Sequence, residues 1–310
     1  MSTKRDGLRM KSVGSRSNRV DEGMLAGEWA RDTPLAEFID NLPDVLAVRR
    51  IRQLAVALLR SRDRGATSLL MYGGHVIKCG LGPLLVRWMR RGLISGMATN
   101  GAGTIHDLEL DLFEGTSESV QEGIADGSFG MWRETGDAYS KAVSASQKNC
   151  TGLGEALGKM VLSRAKEGRR GPLAEAAELG RPVTVHPALG GDIVHPHPSL
   201  DWGAMARAAE RDFDLLISRC SNLSGGVVLN AGSAVVLPEV FLKALTSAQN
   251  LGADVREITT ANMDMIQHYR PSRNVLSRPV EALGGEAISL TGHHELMLPL
   301  LDAFIAREES

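Results

Sequence analysis

Histidines in this chain concentrate where the predicted strands end, at positions where side chains could do acid–base chemistry. The eight are His75, His106, His186, His195, His197, His268, His293 and His294. Imidazole titrates near neutral pH, so histidines gathered beside a bound substrate can take up and release protons. Imidazole is also a common metal ligand. The pattern therefore favours either an acid–base pocket or a metal site.

Two sets of side chains follow from these alternatives. The candidate catalytic residues for acid–base chemistry are His106, Asp107, His186, Asp192 and His293. The alternative metal ligands are His186, His195 and His197, with Asp192 as a further oxygen ligand. Because their spacing matches no standard zinc motif, acid–base chemistry is the first hypothesis and a metal-dependent hydrolase or lyase is the second.

Short turns follow four predicted strands, three of them contain glycine, and together they suit a nucleotide. The candidate cofactor-binding residues are Gly73, Gly74, His75, Thr99, Asn100, Gly101, Ala102, Gly103, Asn230, Ala231, Gly232, Ser233, Thr260 and Ala261. Glycine lets the backbone approach a ligand, and the N–H groups that begin the next helix favour a phosphate. Tight turns of any α/β protein also use glycine, and Gly101-Ala102-Gly103 lacks the full G-x-G-x-x-G fingerprint. We predict that these turns bind a nicotinamide dinucleotide or a similar phosphate-bearing ligand.

The elements that position these residues alternate between strand and helix. Short apolar runs predict strands at Thr67–Tyr72, Leu93–Thr99, Arg181–Leu189, Gly226–Leu229, Asp254–Thr260 and Glu286–Leu290. Amphipathic spacing predicts helices that include Leu46–Arg62, Trp202–Cys220 and Glu295–Arg307. This alternation predicts an α/β fold with a doubly wound, mostly parallel, Rossmann-like sheet.

Two segments stand apart from this alternation. Residues 1–30 begin with a basic, serine-rich stretch, which predicts a disordered or extended basic tail. Residues 31–310 show no linker with a shift in composition, so we expect one α/β domain of the dinucleotide-binding type. The segment Asn262–Pro279 is polar and rich in arginine, and it predicts a long irregular loop that closes over the site.

Composition narrows the functional classes. A net charge of −2 gives the protein no electrostatic reason to bind nucleic acid or a membrane surface. Its three cysteines lack C-x-x-C spacing, which indicates neither a disulfide framework nor a thiolate zinc site. No apolar run has the length of a membrane span, and no signal-peptide core follows the first methionine. These features predict a cytoplasmic protein that binds small molecules.

Six short motifs occur in the order that they have in one known family. They are GGHVIKCG, TNGAGTIHDLE, HPALGGD, VVLNAGS, ITTAN and MLPLL. In these motifs the chain resembles the deoxyhypusine synthase family, specifically the prokaryotic deoxyhypusine synthase-like group, from Ala66 to the C-terminus. The resemblance implies a Rossmann-like homotetramer that binds NAD. It also implies transfer of an aminobutyl group from spermidine to a protein lysine through an enzyme-lysine imine.

The chain departs from the family at the residues that carry this reaction. Where the family has its imine-forming lysine, this chain reads VLSRPV, and Lys243 is its last lysine. Val235 stands near the place of the family's histidine base, and Ile105-His106 replaces an acidic pair. Arginine stays protonated and cannot form an imine. We therefore expect no deoxyhypusine synthesis, and Lys78 is the one candidate for a relocated imine.

The resemblance and the departures together predict an NAD-dependent enzyme of altered chemistry. Its substrate is expected to be a polyamine or a related amine, which is either oxidised or used in an alkyl transfer. A non-catalytic ligand-binding relative is a further alternative, because loss of the lysine and the base is also how an inactive enzyme would look. The expected partners are the amine and further copies of the chain in a homotetramer.

Overall fold

Six parallel strands form the sheet on which the site is built. They are β1 (Ser68–Tyr72), β2 (Gly96–Asn100), β3 (Val183–His186), β4 (Val227–Ala231), β5 (Ile258–Asp264) and β6 (Gly285–Thr291). Their order across the sheet is β3-β2-β1-β4-β5-β6, and all neighbouring strands are parallel. The order reverses between β1 and β4, which is the topological switch point of a doubly wound fold. The predicted fold class is confirmed.

The computed structural model describes residues 5–165 and 171–309. The chain divides into two units, Met1–Arg49 and Arg50–Ser310. Part of the predicted tail, residues 1–4, lies outside the described residues. Within residues 5–30 the regular elements are 3-10 helices at Val13–Ser15 and Glu22–Met24. The domain boundary expected at residue 31 stays a prediction.

Helices connect the strands and precede them. In chain order they are α1 (Leu35–Asp40), α2 (Leu46–Asp63), α3 (Gly74–Lys78), α4 (Gly82–Arg90), α5 (Gly101–Phe113), α6 (Val120–Asp126), α7 (Arg133–Asn149), α8 (Leu153–Leu162), α9 (Pro172–Glu178), α10 (Trp202–Cys220), α11 (Val236–Asn250), α12 (Arg278–Leu283) and α13 (His294–Glu308). Across the described ranges, no helix combines the length and the apolar character that a membrane crossing requires.

In the N-terminal unit, residues that precede α1 contact residues within and just after it. The Asn41 side-chain amide donates to the Glu28 carbonyl over 2.9 Å. The rings of Trp29 and Phe38 meet edge to face, with centroids 5.5 Å apart. These contacts give residues 28–41 a defined local structure.

The hydrophobic core of the larger unit holds the sheet against its helices. Leu69 of β1 and Val228 of β4 belong to one cluster with Leu216 of α10 and Phe241 of α11. All five residues of β1 and of β4 are buried, which fits the continuous apolar runs of a sheet covered on both faces.

The pairing register brings the carboxyl ends of the strands to one level. Tyr72 of β1 pairs with Thr99 of β2 and with Ala231 of β4. Ala231 pairs in turn with Met263 of β5, and Met263 with Leu290 of β6. The turns that follow these residues therefore meet at one edge of the sheet, as the sequence predicts.

The predicted end of the fifth strand is wrong. β5 continues to Asp264, so Thr260 and Ala261 lie inside the strand, paired with Val228 and Leu229, and form no turn. The polar Asn262 continues the strand because a neighbouring strand satisfies its amide: Asn230 Nδ2 donates to Asn262 Oδ1 over 2.7 Å.

The predicted irregular loop Asn262–Pro279 is also wrong over most of its length. After β5 ends, a π-helical segment forms at Pro271–Ser277 and leads directly into α12. Pro271 occupies the first turn of the π-helical segment, where a helix needs no N–H donor. Asn274 contributes side-chain bonds, because its Nδ2 donates to Glu239 over 2.9 Å and its Oδ1 accepts from Arg278 over 2.6 Å.

Candidate functional site

The turns after β1 and β4 touch backbone to backbone at the switch point. The Gly73 N–H donates to the Ala231 carbonyl over 3.0 Å. A Cβ added to Gly73 would lie 2.2 Å from the Gly232 carbonyl oxygen, and Gly232 itself has a φ of +68°. A side chain at Gly73 would force the two turns apart. The structure thus brings these two predicted cofactor residues together.

The turn after β2 packs beside the turn after β1. Asn100 caps α5, because its Oδ1 accepts from the Gly103 N–H over 2.9 Å. A Cβ added to Gly103 would lie 2.0 Å from Thr99 Oγ1, and one added to Gly74 would lie 3.0 Å from His106 Cδ2. Packing between turns therefore explains part of the need for glycine here, in addition to any ligand.

His106 belongs to a chain of hydrogen bonds on α5. Its Nδ1 lies 2.7 Å from Thr116 Oγ1, and that hydroxyl donates to Glu109 Oε2 over 2.5 Å. The other carboxylate oxygen of Glu109 accepts from Thr135 over 2.8 Å. Burial lowers the pKa of His106 to about 4, and the nearby Lys78 ammonium contributes to the shift in the same direction. The ring is therefore neutral at pH 7.

A cavity of about 630 Å³ opens beside this network. Its charged, polar and aromatic lining includes Lys78, His106, Glu109, Glu118, Glu134, Thr116, Thr135, Phe113, Phe129 and Trp132. Carboxylates attract cations, and aromatic faces attract cations and pack against alkyl chains. The lining is therefore suited to an organic cation.

Asp107, a predicted catalytic residue, points to a different part of the molecule. Its Oδ2 accepts from the Leu173 N–H over 2.7 Å, at the start of α9. Both carboxylate oxygens of Asp111 accept from the Gly171 N–H, at 3.0 and 2.8 Å. Burial raises the pKa of Asp107 well above its usual range, and the adjacent Asp111 adds to this shift. The pair anchors the beginning of α9.

Asp192, another predicted catalytic residue, lies against the first turn of α5. A Cβ added to Gly101 would lie 2.1 Å from Asp192 Oδ2. Burial raises the pKa of the Asp192 carboxyl. His195 Nδ1 lies 3.0 Å from both the backbone N and the backbone O of Asp192, and its ring lies 5.0 Å from that of Trp202. The segment after β3 is thereby held onto the β2–α5 turn.

The alternative metal site at His186, His195 and His197 does not form. His186 is buried and its Nε2 lies 3.0 Å from Thr184 Oγ1, while burial lowers its pKa to about 4. His197 packs on α7, with its Nε2 3.6 Å from the Asp137 carboxylate. In the part of the chain that the structure describes, no three His, Cys, Asp or Glu side chains are grouped to hold a metal.

Three of the remaining histidines, His75, His293 and His294, gather near the start of α13. The rings of His75 and His294 meet edge to face at 5.7 Å, and His294 Nε2 lies 3.1 Å from the Met263 carbonyl oxygen. His293, a predicted catalytic residue, is exposed, and its Nδ1 lies 3.9 Å from the Glu295 carboxylate. Cys79 Sγ lies 3.3 Å from His75 Nε2.

The structure thus places only two of the predicted catalytic residues, His106 and Lys78, in the cavity. The residues that sequence reasoning missed are Glu109, Thr116, Glu118, Glu134 and Thr135, together with the aromatic lining. Glu109 carried one usable signal, because it follows His106 by three positions and so shares its helix face. The remainder lie on later segments that only the fold brings to α5.

No family model and no curated protein matches this chain. Solved structures share its fold. A conserved candidate LOR/SDH protein from Methanococcus maripaludis is 17% identical, with a TM-score of 0.54 over 86% of this chain and 72% of that one. A candidate deoxyhypusine synthase from Entamoeba histolytica is 10% identical, with a TM-score of 0.54 over 90% of this chain and 95% of that one.

Two longer proteins contain the same fold. AgrE, solved as a ternary complex with ornithine and NAD+, is 14% identical, with a TM-score of 0.53 over 85% of this chain and 34% of AgrE. ArgZ, an arginine dihydrolase from the ornithine–ammonia cycle in cyanobacteria, is 17% identical, with a TM-score of 0.54 over 84% of this chain and 33% of ArgZ. This chain spans about a third of both proteins. At such identities the likeness establishes the fold alone.

Proposed function

We propose that this protein is an NAD-dependent enzyme that acts on a polyamine or a related amine, by oxidation or by alkyl transfer. The observation that carries the proposal is the contact between Gly74 and His106, where an added Cβ would lie 3.0 Å from the ring. Gly74 belongs to the glycine turns of the switch point, and His106 lines the acidic cavity. The turn that would bind the dinucleotide therefore lies beside the cavity that would bind the cation. Transfer of a group between two ligands requires that they be held close together.

The turns at the switch point fit a dinucleotide. Gly73, Gly74 and Gly232 would let the cofactor approach the backbone, and any Cβ at Gly73 would fill that space. Asn230 Oδ1 is buried and has no hydrogen-bond partner among the described residues, so it remains available to a ligand donor. NAD, when bound, supplies a hydride acceptor. The neighbour AgrE was solved with NAD+, which supports the same cofactor here.

The cavity supports an amine as the second ligand. Its lining holds three carboxylates, from Glu109, Glu118 and Glu134, and one ammonium, from Lys78, so its field favours a cation. Trp132 and Phe129 would cover the alkyl part of such a ligand. AgrE, part of which shares this fold, was solved as a complex with ornithine, a small amine. The histidine at the cavity wall is neutral and would orient the substrate.

The same edge of the molecule suggests further copies of the chain as partners. The segment after β5 exposes large apolar side chains, with Ile266 63% and Tyr269 67% exposed, and Leu296 on α13 is 66% exposed. Such side chains often mark interfaces. We extend the proposal to a homotetramer in the cytoplasm, and light scattering of the purified protein measures the number of subunits.

Calorimetric titration tests the two binding steps separately. Wild-type protein is titrated with NAD and NADH, and then with spermidine in the presence of the cofactor. We expect Glu134→Gln to weaken spermidine binding several-fold and to leave NAD binding unchanged. The matched control is Glu122→Gln, because Glu122 is an exposed carboxylate of α6 and should affect neither ligand. Absence of any response to NAD and NADH would overturn the proposed cofactor.

A further inference from the structure

We propose that Glu109 and Thr116 fix the tautomer of His106, so that its Nε2 meets the ligand as a hydrogen-bond acceptor. His106 then selects ligands that present a donor, such as an ammonium or an amide N–H. This inference rests on the proposed function for the identity of the ligand, but the tautomer itself belongs to the protein without any ligand. Glu109 and Thr116 are positioning residues, since they act through His106.

The number of protons in the network decides the tautomer. Thr116 has a single hydroxyl proton and two neighbours, Glu109 Oε2 at 2.5 Å and His106 Nδ1 at 2.7 Å. A carboxylate only accepts hydrogen bonds, so the hydroxyl proton of Thr116 goes to Glu109. The hydroxyl oxygen is then left as an acceptor, and His106 Nδ1 must donate to it. In a neutral ring with a proton on Nδ1, Nε2 carries only a lone pair.

The carboxylate at the end of the chain is held in place. Thr135 donates to Glu109 Oε1 over 2.8 Å, so each carboxylate oxygen receives one hydroxyl proton. Glu109 is 8% exposed and Thr135 is 3% exposed, so water does not easily replace either bond. Rotation of the carboxylate would break both bonds at once. Thr116 consequently keeps its donor role toward Glu109.

The free nitrogen of His106, Nε2, belongs to the ring edge opposite the Thr116 hydroxyl. The ring lines the cavity, and its Cδ2, the carbon bonded to Nε2, would lie 3.0 Å from a Cβ added at Gly74. Nε2 makes no hydrogen bond to the residues that the structure describes. A ligand that lies between the cavity and the glycine turn therefore meets an acceptor at this position. Lys78, on the same wall, offers the opposite property, because an ammonium only donates.

Nitrogen NMR of the full-length protein, labelled at histidine nitrogens, measures the tautomer without a ligand. His106→Asn identifies the signals by their loss. In wild type we expect His106 to show a protonated Nδ1 and an unprotonated Nε2 at pH 7. Thr116→Val removes the acceptor for Nδ1, so the protonated-Nδ1 pattern is lost, while Thr116→Ser retains it. The matched control is Thr246→Val, which removes an exposed hydroxyl on α11 that donates to the Leu242 carbonyl, and it should keep the wild-type pattern.

A protonated Nε2 in wild type would overturn the proposal, even if every variant failed to fold. An unchanged pattern in folded Thr116→Val would also overturn it. Titration with spermidine in the presence of NAD then tests recognition: a shift of the Nε2 signal supports donor selection, and no shift with NAD bound overturns it for this amine. The spectrum of the ligand-free protein does not depend on whether NAD or spermidine binds. It therefore tests the tautomer of His106 separately from the proposed function.

Discussion

Helix α5 has two faces that use similar residues for different purposes. His106 and Glu109 face the cavity and share a hydrogen-bond chain through Thr116. Asp107 and Asp111 face the start of α9, where their carboxylates accept from backbone N–H groups. Spacings of three and four residues keep each pair on its own face. Residue type alone therefore does not separate chemistry from architecture on this helix, whereas the partner of each side chain does.

The largest expected effect is on stability and concerns Asp107. We predict that Asp107→Ala lowers the free energy of unfolding by about 3 kcal/mol, because it leaves the buried Leu173 N–H without an acceptor. His106→Asn should change it by only about 0.5 kcal/mol, because the ring is half-buried and replaced by another polar side chain. Urea denaturation of both variants measures the difference. Equal losses would abolish the distinction between the two faces.

Substitution of one glycine beside each face gives the next largest effect. A Cβ at Gly171 would lie 1.9 Å from Asp107 Oδ1, whereas one at Gly74 would lie 3.0 Å from His106 Cδ2. We predict that Gly171→Ala lowers the free energy of unfolding by about 2 kcal/mol, within the usual cost of overpacking. Gly74→Ala should lower it less, because the contact is longer, and should instead weaken NAD binding. Thermal unfolding of both variants measures the loss of stability, and NAD titration measures the loss of cofactor binding. Weaker NAD binding by Gly171→Ala than by Gly74→Ala would contradict the prediction.

The sequence predicted the sheet and the side chains that meet at its edge. It did not predict which of these side chains face the cavity and which face α9. Apolar runs bounded by turn residues located six strands, and the strand order then follows the doubly wound pattern. The end of β5 was missed because Asn262 looks like a turn residue, and its partner Asn230 is distant in sequence. Glu109 was missed for a related reason. Its hydroxyl partners Thr116 and Thr135 come from segments whose positions depend on tertiary packing.

A smaller effect, of opposite sign on the two faces, is expected in the pH dependence of stability. The folded protein holds the pKa of His106 at about 4, below 6.5, so the folded state binds fewer protons than the unfolded state between these values. His106 therefore makes stability fall as pH falls through this window. The pKa of Asp107 is raised above 3.8, so its folded state binds more protons and stability falls as pH rises above that value.

Variants without the titrating groups separate these two contributions. Relative to wild type, His106→Asn should lose less stability between pH 6.5 and pH 4. Asp107→Asn should lose more stability on the same acidification, because it lacks the favourable protonation of a buried carboxyl. Urea denaturation at several pH values gives both curves. Curves of the same sign would show that the two faces do not differ in their proton linkage.

The last prediction is that no covalent adduct forms on the cavity face of α5. An imine requires a neutral lysine, which proteins obtain by burying the side chain or by placing it beside another cation. Lys78 is the lysine on the cavity wall, but its side chain is exposed, and the segment Val275–Val280 contains no lysine. Incubation with labelled spermidine and NAD, followed by borohydride, should therefore trap no adduct. An adduct that disappears in Lys78→Arg would instead make this face a site of covalent catalysis, and its persistence in that variant would move the chemistry to another lysine.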